Sequence, residues 1–221
     1  MAYIDFIQKL HTGTARNYLQ RVVDFDKATI AKVGKEFGRD YFDGERQYGY
    51  GGYRYMEGRW LPLALDLASH YGLKTGDRVL DVGCAKGFLL HEFTRAVPGI
   101  EVAGLDISSY AIENAKEEVK PFLRVGNAVA LPYPDKSFDL VVSINTLHNL
   151  RIYDLAKALR EMERVSLSHK YLVVDGYRTE EEKANLMYWQ ITCESFFTPQ
   201  EWEWVFQQTG YTGDYACVYY E

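Results

Sequence analysis

The chain has 221 residues, 47% of them hydrophobic, and a net charge of −6, which fits one domain of larger than average size with a full apolar core. The acidic balance, without any dense Lys/Arg run, argues against nucleic acid or anionic lipid as a partner. Cys84, Cys193 and Cys217 lie far apart, with no CxxC or Cys/His spacing, which argues against a disulfide framework and a metal centre.

The start, "MAYIDFIQKLHTGTARNYLQ", lacks a basic segment followed by an apolar one, and no apolar run approaches the roughly 18 residues of a membrane span. A cytoplasmic, reducing setting is therefore expected. The first 38 residues read as largely helical, with Val22, Val23, Phe25, Ile30, Val33 and Phe37 near helix spacing. Residues 39–60, "RDYFDGERQYGYGGYRYMEGRW", hold five tyrosines, five glycines and four arginines. This is too glycine-rich for a packed element and too aromatic for a free linker. A helix follows in "WLPLALDLASHYGL", with Pro62 in its first turn and Gly72 as its cap.

From residue 79 onward strands and helices alternate. "DRVLDVG", "IEVAGLD", "FLRVG", "SFDLVVSIN", "KYLVVDGY" and "DYACVYYE" read as strands. "FLLHEFTRAV", "SYAIENAKEEV", "IYDLAKALREMERV" and "TPQEWEWVFQQTG" read as helices, with Ser108 or Ser109 and Thr198 as N-caps. In the third of these, "REMER" reads as a solvated face. The charged and aromatic segment 178–197 carries no assigned element. Such alternation predicts an α/β, doubly wound, mostly parallel sheet of six or seven strands with helices on both faces. Ligands of these sheets bind beyond the carboxyl ends of the strands, where the strand order reverses.

"VLDVGCAKGFLLHEF" places a strand, then Gly83 and Gly87, then a helix whose first N–H groups face outward. Asp106 ends the next strand, where a carboxylate can accept both hydroxyls of a ribose. Asn127 and Ala128 follow the third strand and could edge an adenine. A dinucleotide-binding protein would show GxGxxG here, and Gly83-Cys84-Ala85-Lys86-Gly87 lacks it, which disfavours a nicotinamide-dependent reductase.

These segments resemble those of class I, Rossmann-like, S-adenosylmethionine-dependent methyltransferases of the small-molecule type. "VLDVGCAKG" is similar to that family's first motif, "GLDIS" to its ribose motif, "VGNAVALPYPDKSFDLVVSINTLHNL" to its adenine edge and fourth strand, and "KYLVVDGYR" to its fifth. The resemblance covers about residues 75–175. It implies S-adenosyl-L-methionine as cofactor and S-adenosyl-L-homocysteine as product. It further implies that Asp81, Gly83, Cys84 and Gly87 line the methionine end, Asp106 and Ile107 the ribose, Asn127 and Ala128 the adenine, and Asn145 the rim near the sulfonium. Two features depart from the family. Ala85 stands where a glycine is usual, and one strand follows residue 210 where a two-strand hairpin is usual.

The expected activity is methyl transfer to O or N of a small acceptor; the alternative is a cofactor-binding partner or regulatory subunit of the same fold. His148 is a candidate base, or else a histidine packed under Leu147 and Leu150. Asp175 and Tyr177, at the end of the fifth strand, could orient the acceptor or merely bond within their loop. "YWQITCESFF", 188–197, could form a substrate wall or a core aromatic cluster. Cys193 has no basic neighbour in sequence to make it a nucleophile. Residues 1–60 are read as an N-terminal helical extension of the same domain, with 41–60 as a lid in which Tyr53 covers the cofactor; residues 61–221 are read as the cofactor-binding domain.

Overall fold

Six strands carry the site. In the computed structural model, which describes residues 1–11 and 17–221, they are β1 (Arg78–Val82), β2 (Glu101–Asp106), β3 (Leu123–Val125), β4 (Phe138–Ile144), β5 (Ser166–Asp175) and β6 (Asp214–Val218). All pair in parallel, in the order β3-β2-β1-β4-β5-β6. Successive side chains on a strand point to opposite faces, and a parallel sheet is covered on both. Accordingly Val79, Val142, Tyr171, Val173 and Ala216 enter one core cluster, while Leu80, Val82, Val141, Leu172 and Val174 enter a second.

Among the described residues the helices are α1 (Gln8–His11), α2 (Tyr18–Asp24), α3 (Lys27–Gly34), α4 (Arg39–Asp43), α5 (Leu61–Tyr71), α6 (Phe88–Ala96), α7 (Ser109–Glu113), α8 (Ile152–Val165), α9 (Glu180–Trp189) and α10 (Pro199–Thr209). Helices α5 and α6 cover the first face through Leu63, Leu67, Leu90 and Phe93. Helices α8 and α10 cover the second through Leu155, Leu159, Met162, Trp202 and Phe206. Their ends follow local chemistry. Pro62 opens α5, and Gly72, in the left-handed region at φ +65°, closes it. Thr198 and Glu201 form a reciprocal capping box at α10.

The structure corrects several expectations. The sheet itself agrees with expectation: it has six strands, all parallel, with β6 the one strand after residue 210 and no closing hairpin among the described residues. Its β6 edge is met instead by the N-terminus: Ile4 N–H donates to the Tyr215 carbonyl at 2.9 Å and Tyr215 N–H to the Ala2 carbonyl at 3.0 Å. Backbone groups that an edge strand would leave bare are thereby paired. The N-terminal helical stretch is interrupted at Phe25, because Asp26 caps a new helix by accepting from Thr29 N–H; its part at 12–16 lies outside the described residues. The helix expected from Ser109 stops at Glu113, and Lys116 N–H goes to the Lys86 carbonyl at 2.9 Å. A helix, α9, occupies part of 178–197. "REMER" is not simply solvated: Met162 is buried, and Arg164 donates to Glu161, Asp135 and the carbonyls of Leu131 and Tyr133. No helix among the described residues is long and apolar enough to cross a membrane.

Strand order reverses between β1 and β4, so a crevice opens beyond their carboxyl ends. That point is ringed by Val82, Asp106, Ile144 and Asp175.

Candidate active site

Beyond β1 the chain makes a tight loop. Gly83 has φ +86° and donates its N–H to the Leu105 carbonyl at 2.7 Å. A Cβ on Gly83 would lie 2.2 Å from Thr146 Oγ1, so no larger residue fits without moving β4's exit. Ala85, at the usual glycine position, takes φ +48°, a left-handed conformation that strains an L-residue. Asp106 ties this loop to β2. Its Oδ2 accepts Ala85 N–H and its Oδ1 accepts Ser108 N–H, both at 2.8 Å. Burial pushes the Asp106 carboxyl up, against the pull of those two donors.

The loop forms one wall of a cavity of about 550 Å³, within the size range of small-molecule sites. Of the residues singled out in the sequence, Tyr53, Asp81, Gly83, Cys84, Asp106, Ile107, Asn127, Ala128, Asn145, His148 and Asp175 all line it. Asp81 is buried, and its Oδ1 has no hydrogen-bond partner; burial, and then the charge of Asp106, pushes its carboxyl up to about 8. Asn145 sits at φ +54° with its Oδ1 likewise buried and unpartnered. Burial raises the Cys84 thiol well above its ordinary value, so it is a neutral wall atom.

Two expected residues lie elsewhere. Gly87 is not on the wall: it caps α6 at φ +74°, and a Cβ there would meet Val119 and Leu123 at 2.9 Å. Its bareness lets α6 pack against the chain before β3. Tyr177 is half-buried outside the cavity, with the Lys183 ammonium 5.1 Å from its ring. The chain turns away there, as Gly176 N–H donates to the Val218 carbonyl at 3.0 Å.

His148 also takes a place different from the one expected of a base. Its Nδ1 accepts Asp175 N–H at 3.0 Å, so the proton of the neutral ring is on Nε2, which faces Asp175 Oδ2 at 3.4 Å. Burial lowers its pKa, with Asp175 opposing. With the Nδ1 lone pair taken and the proton on Nε2, the ring has no lone pair to offer a substrate, and in this arrangement it braces Asp175 rather than acting on an acceptor. Asp175, 1% exposed, also accepts from Gln190 Nε2 through Oδ2 and from the Tyr220 hydroxyl through Oδ1 at 3.1 Å. Gln190 belongs to the stretch 188–197 read as a substrate wall or a core aromatic cluster, of which Trp189, Gln190, Ile191 and Thr192 line the cavity, but neither its bond to Asp175 nor that of Tyr220 is legible in the sequence. Neither stands in a motif, and only the fold brings positions 15 and 45 residues away to one carboxylate.

The tyrosine-rich stretch lies across the open side. Tyr41, Phe42, Tyr50 and Tyr53 line the cavity, and the Tyr53 ring stacks on Phe88 at the head of α6 with centroids 5.0 Å apart. The stretch is tied to the glycine loop by a buried lysine. Lys86 Nζ donates to Asp43 Oδ2 at 2.6 Å and to the Tyr53 carbonyl at 3.0 Å, while Tyr110 OH donates to the same Asp43 oxygen at 2.8 Å. Burial works against the Asp43 charge, but the Lys86 and Tyr110 bonds outweigh it and keep its pKa below the ordinary value.

A family model described as a methyltransferase domain matches residues 73–210. The chain belongs to that family. Its fold agrees with the class I, Rossmann-like architecture of the YcgJ protein of Bacillus subtilis, to which it is similar with a TM-score of 0.55 at 24% identity, over 68% of this chain and 67% of that one. Curated relatives include 27-O-demethylrifamycin SV methyltransferase of Amycolatopsis mediterranei, 32% identical over 48% of this chain and 43% of its own length. Ajmaline N-methyltransferase of Rauvolfia serpentina is 36% identical over 43% of this chain and 34% of its own. The aligned part thus spans less than half the length of both curated relatives.

Proposed function

We propose that this methyltransferase-family protein transfers a methyl group from S-adenosylmethionine to an oxygen or nitrogen of a small molecule. The observation that carries the reading is Asp81 Oδ1, a carboxyl oxygen buried on the cavity wall without a partner, beside a loop with no room for a Cβ at Gly83. A group of that kind fits the ammonium of the cofactor's methionine part. Gly83 and Cys84 would flank that part, Asp106 and Ile107 would take the ribose, Asn127 and Ala128 the adenine, and Asn145 the region near the sulfur. The relatives whose names specify O- and N-methyl chemistry on small molecules support the acceptor class.

When bound, the cofactor supplies a methyl group on a positively charged sulfur, already reactive toward a nucleophile. The chain's own contribution is orientation, proton handling and exclusion of water. Asp175, at the carboxyl end of β5, is the group proposed to take the proton from an acceptor O–H or N–H, at Oδ1, because Gln190 and His148 already occupy Oδ2. His148, Gln190 and Tyr220 hold its plane. Residues 41–60 act as the lid, and residues 1–60 and 61–221 make one functional domain; the Lys86–Asp43 pair links lid to loop, so closure and cofactor occupancy can be felt by one another.

Calorimetry with S-adenosylhomocysteine tests the cofactor assignment. The chain binds it, and Asp106→Ala weakens binding by about 1–3 kcal/mol, the scale of charge-assisted hydrogen bonds. Unchanged affinity in that variant would remove the ribose assignment. Incubation with labelled S-adenosylmethionine and metabolite extracts then identifies the acceptor by its label.

A further inference from the structure

The cavity is polarised. Its floor carries three carboxylates, Asp81, Asp106 and Asp175, at the ends of β1, β2 and β5. Among the described residues, the other side, contributed by the N-terminal 60 residues, carries the guanidinium groups of Arg21, Arg46, Arg54 and Arg59 and no carboxylate on the lining. In a chain with 13 arginines and a net charge of −6, this gathering runs against the overall charge balance.

The four arginines divide by position. Arg54 directly follows Tyr53, whose ring lies on Phe88 at the head of α6 beside the glycine loop, and Arg59 lies further along the same segment. Arg21 and Arg46 lie instead against α9. Their Cζ atoms sit 4.5 and 5.3 Å from the ring centre of Trp189, the last residue of α9. The next residue, Gln190, donates to Asp175. Asp106 on β2 and Asp175 on β5 stand on opposite sides of the crevice, because β1 and β4 lie between them in the sheet. A cofactor with a single carboxylate calls for one of these pairs. Arg21 also donates to the Gln47 carbonyl at 2.9 Å and Arg46 to the Gly49 carbonyl, bonds to neutral acceptors that, like the indole contact, orient a guanidinium and leave its positive charge to attract carboxylate or phosphate oxygens.

Resting on the methyltransferase reading above, we propose that the methyl acceptor is an anion, a carboxylate or phosphate monoester, whose charged group is held by Arg21 and Arg46 while its nucleophilic O–H or N–H faces Asp175. The field of the cavity sets this direction. An anionic group is disfavoured beside the acidic side chains of the floor and drawn to the guanidinium side, so the acceptor enters with its neutral, nucleophilic end toward the sheet.

Calorimetry on the full chain loaded with S-adenosylhomocysteine tests the proposal, with benzoate, phenyl phosphate and neutral benzamide as probes. At least one anion binds about tenfold or more tightly than benzamide, and the tighter of the two identifies the group. Added salt weakens the anion and leaves benzamide unaffected, a readout that needs no variant. Arg21→Gln combined with Arg46→Gln abolishes the preference while S-adenosylhomocysteine affinity changes by less than about twofold, and Arg21→Lys with Arg46→Lys retains a salt-sensitive part of it. Three probes of equal affinity, anion binding that ignores salt, or a preference that survives the glutamine pair would overturn the anionic acceptor. Failure of the first titration, with S-adenosylhomocysteine alone, would overturn the cofactor reading instead and take this proposal with it.

Discussion

Replacing Asp81 with Asn removes a charge and changes little else in shape. Asp81 is 4% exposed, its Oδ1 has no partner, and its carboxyl is pushed from 3.8 up to about 8 by burial and by Asp106. A carboxyl whose folded pKa is raised lends the folded state its full contribution only below the unfolded value. That contribution is lost as pH rises from about 4 to about 8. At neutral pH roughly three units separate the solution from the unfolded pKa, each worth about 1.4 kcal/mol, so the burden on the native protein is at most ~4 kcal/mol. Asn escapes the charge but must house an NH₂ group, which leaves an expected gain of about 1–3 kcal/mol. For a chain of this size, 1 kcal/mol moves the melting temperature by about 2–4 °C. Urea unfolding at about pH 5 and about pH 7.5 measures the effect. Asp81→Asn is the more stable protein at the higher pH, the gap narrows at the lower one, and S-adenosylhomocysteine binds the variant more weakly. A variant less stable than the native chain at pH 7.5, or a gap independent of pH, would refute the view that Asp81 is a strained carboxylate kept for a cationic ligand.

The proton-handling arrangement predicts an order of effects. Asp175→Asn lowers turnover by about 10²-fold or more with cofactor affinity retained, and His148→Gln costs less; steady-state rates in the reverse order would return the base role to His148. Ala85→Gly relieves the left-handed strain while adding chain entropy to the unfolded state, so its stability lies within about 1 kcal/mol of the native protein or above it. A loss well beyond that, in denaturant unfolding, would show that the Ala85 methyl packs where none is expected. The lid reading predicts that amides across 46–56 gain hydrogen-exchange protection with S-adenosylhomocysteine. Asp43→Asn, which cuts the Lys86 ion pair, raises exchange there without it, and Tyr53→Ala harms turnover more than folding. Exchange indifferent to both ligand and Asp43→Asn, with a fully active Tyr53→Ala protein, would leave the stretch as a static cover.

The sequence alone determined the parts whose physics is local. Strand periodicity, the Pro62, Gly72 and Thr198 caps, and the glycine loop followed by Asp106 all depend on contacts within a few residues, and they located the sheet and most of the cavity wall. Tertiary structure decided what depends on residues meeting from afar. The all-parallel sheet is settled by how β6 lies against β5, which its own five residues cannot encode. The edge is met by Ala2 and Ile4, some 210 residues away in sequence. His148 as a holder of Asp175 could not be read from "TLHNL", because the Asp175 N–H that occupies Nδ1 belongs to another strand. Gly87 looked like part of a ligand loop, yet its bareness serves the approach of Val119 and Leu123. The Lys86–Asp43 pair and the stack of Arg21 and Arg46 on Trp189 carry no sequence signal either. A charged side chain is ordinarily solvated, and only burial against a partner 43 residues away makes Lys86 a structural link between the glycine loop and the tyrosine-rich stretch.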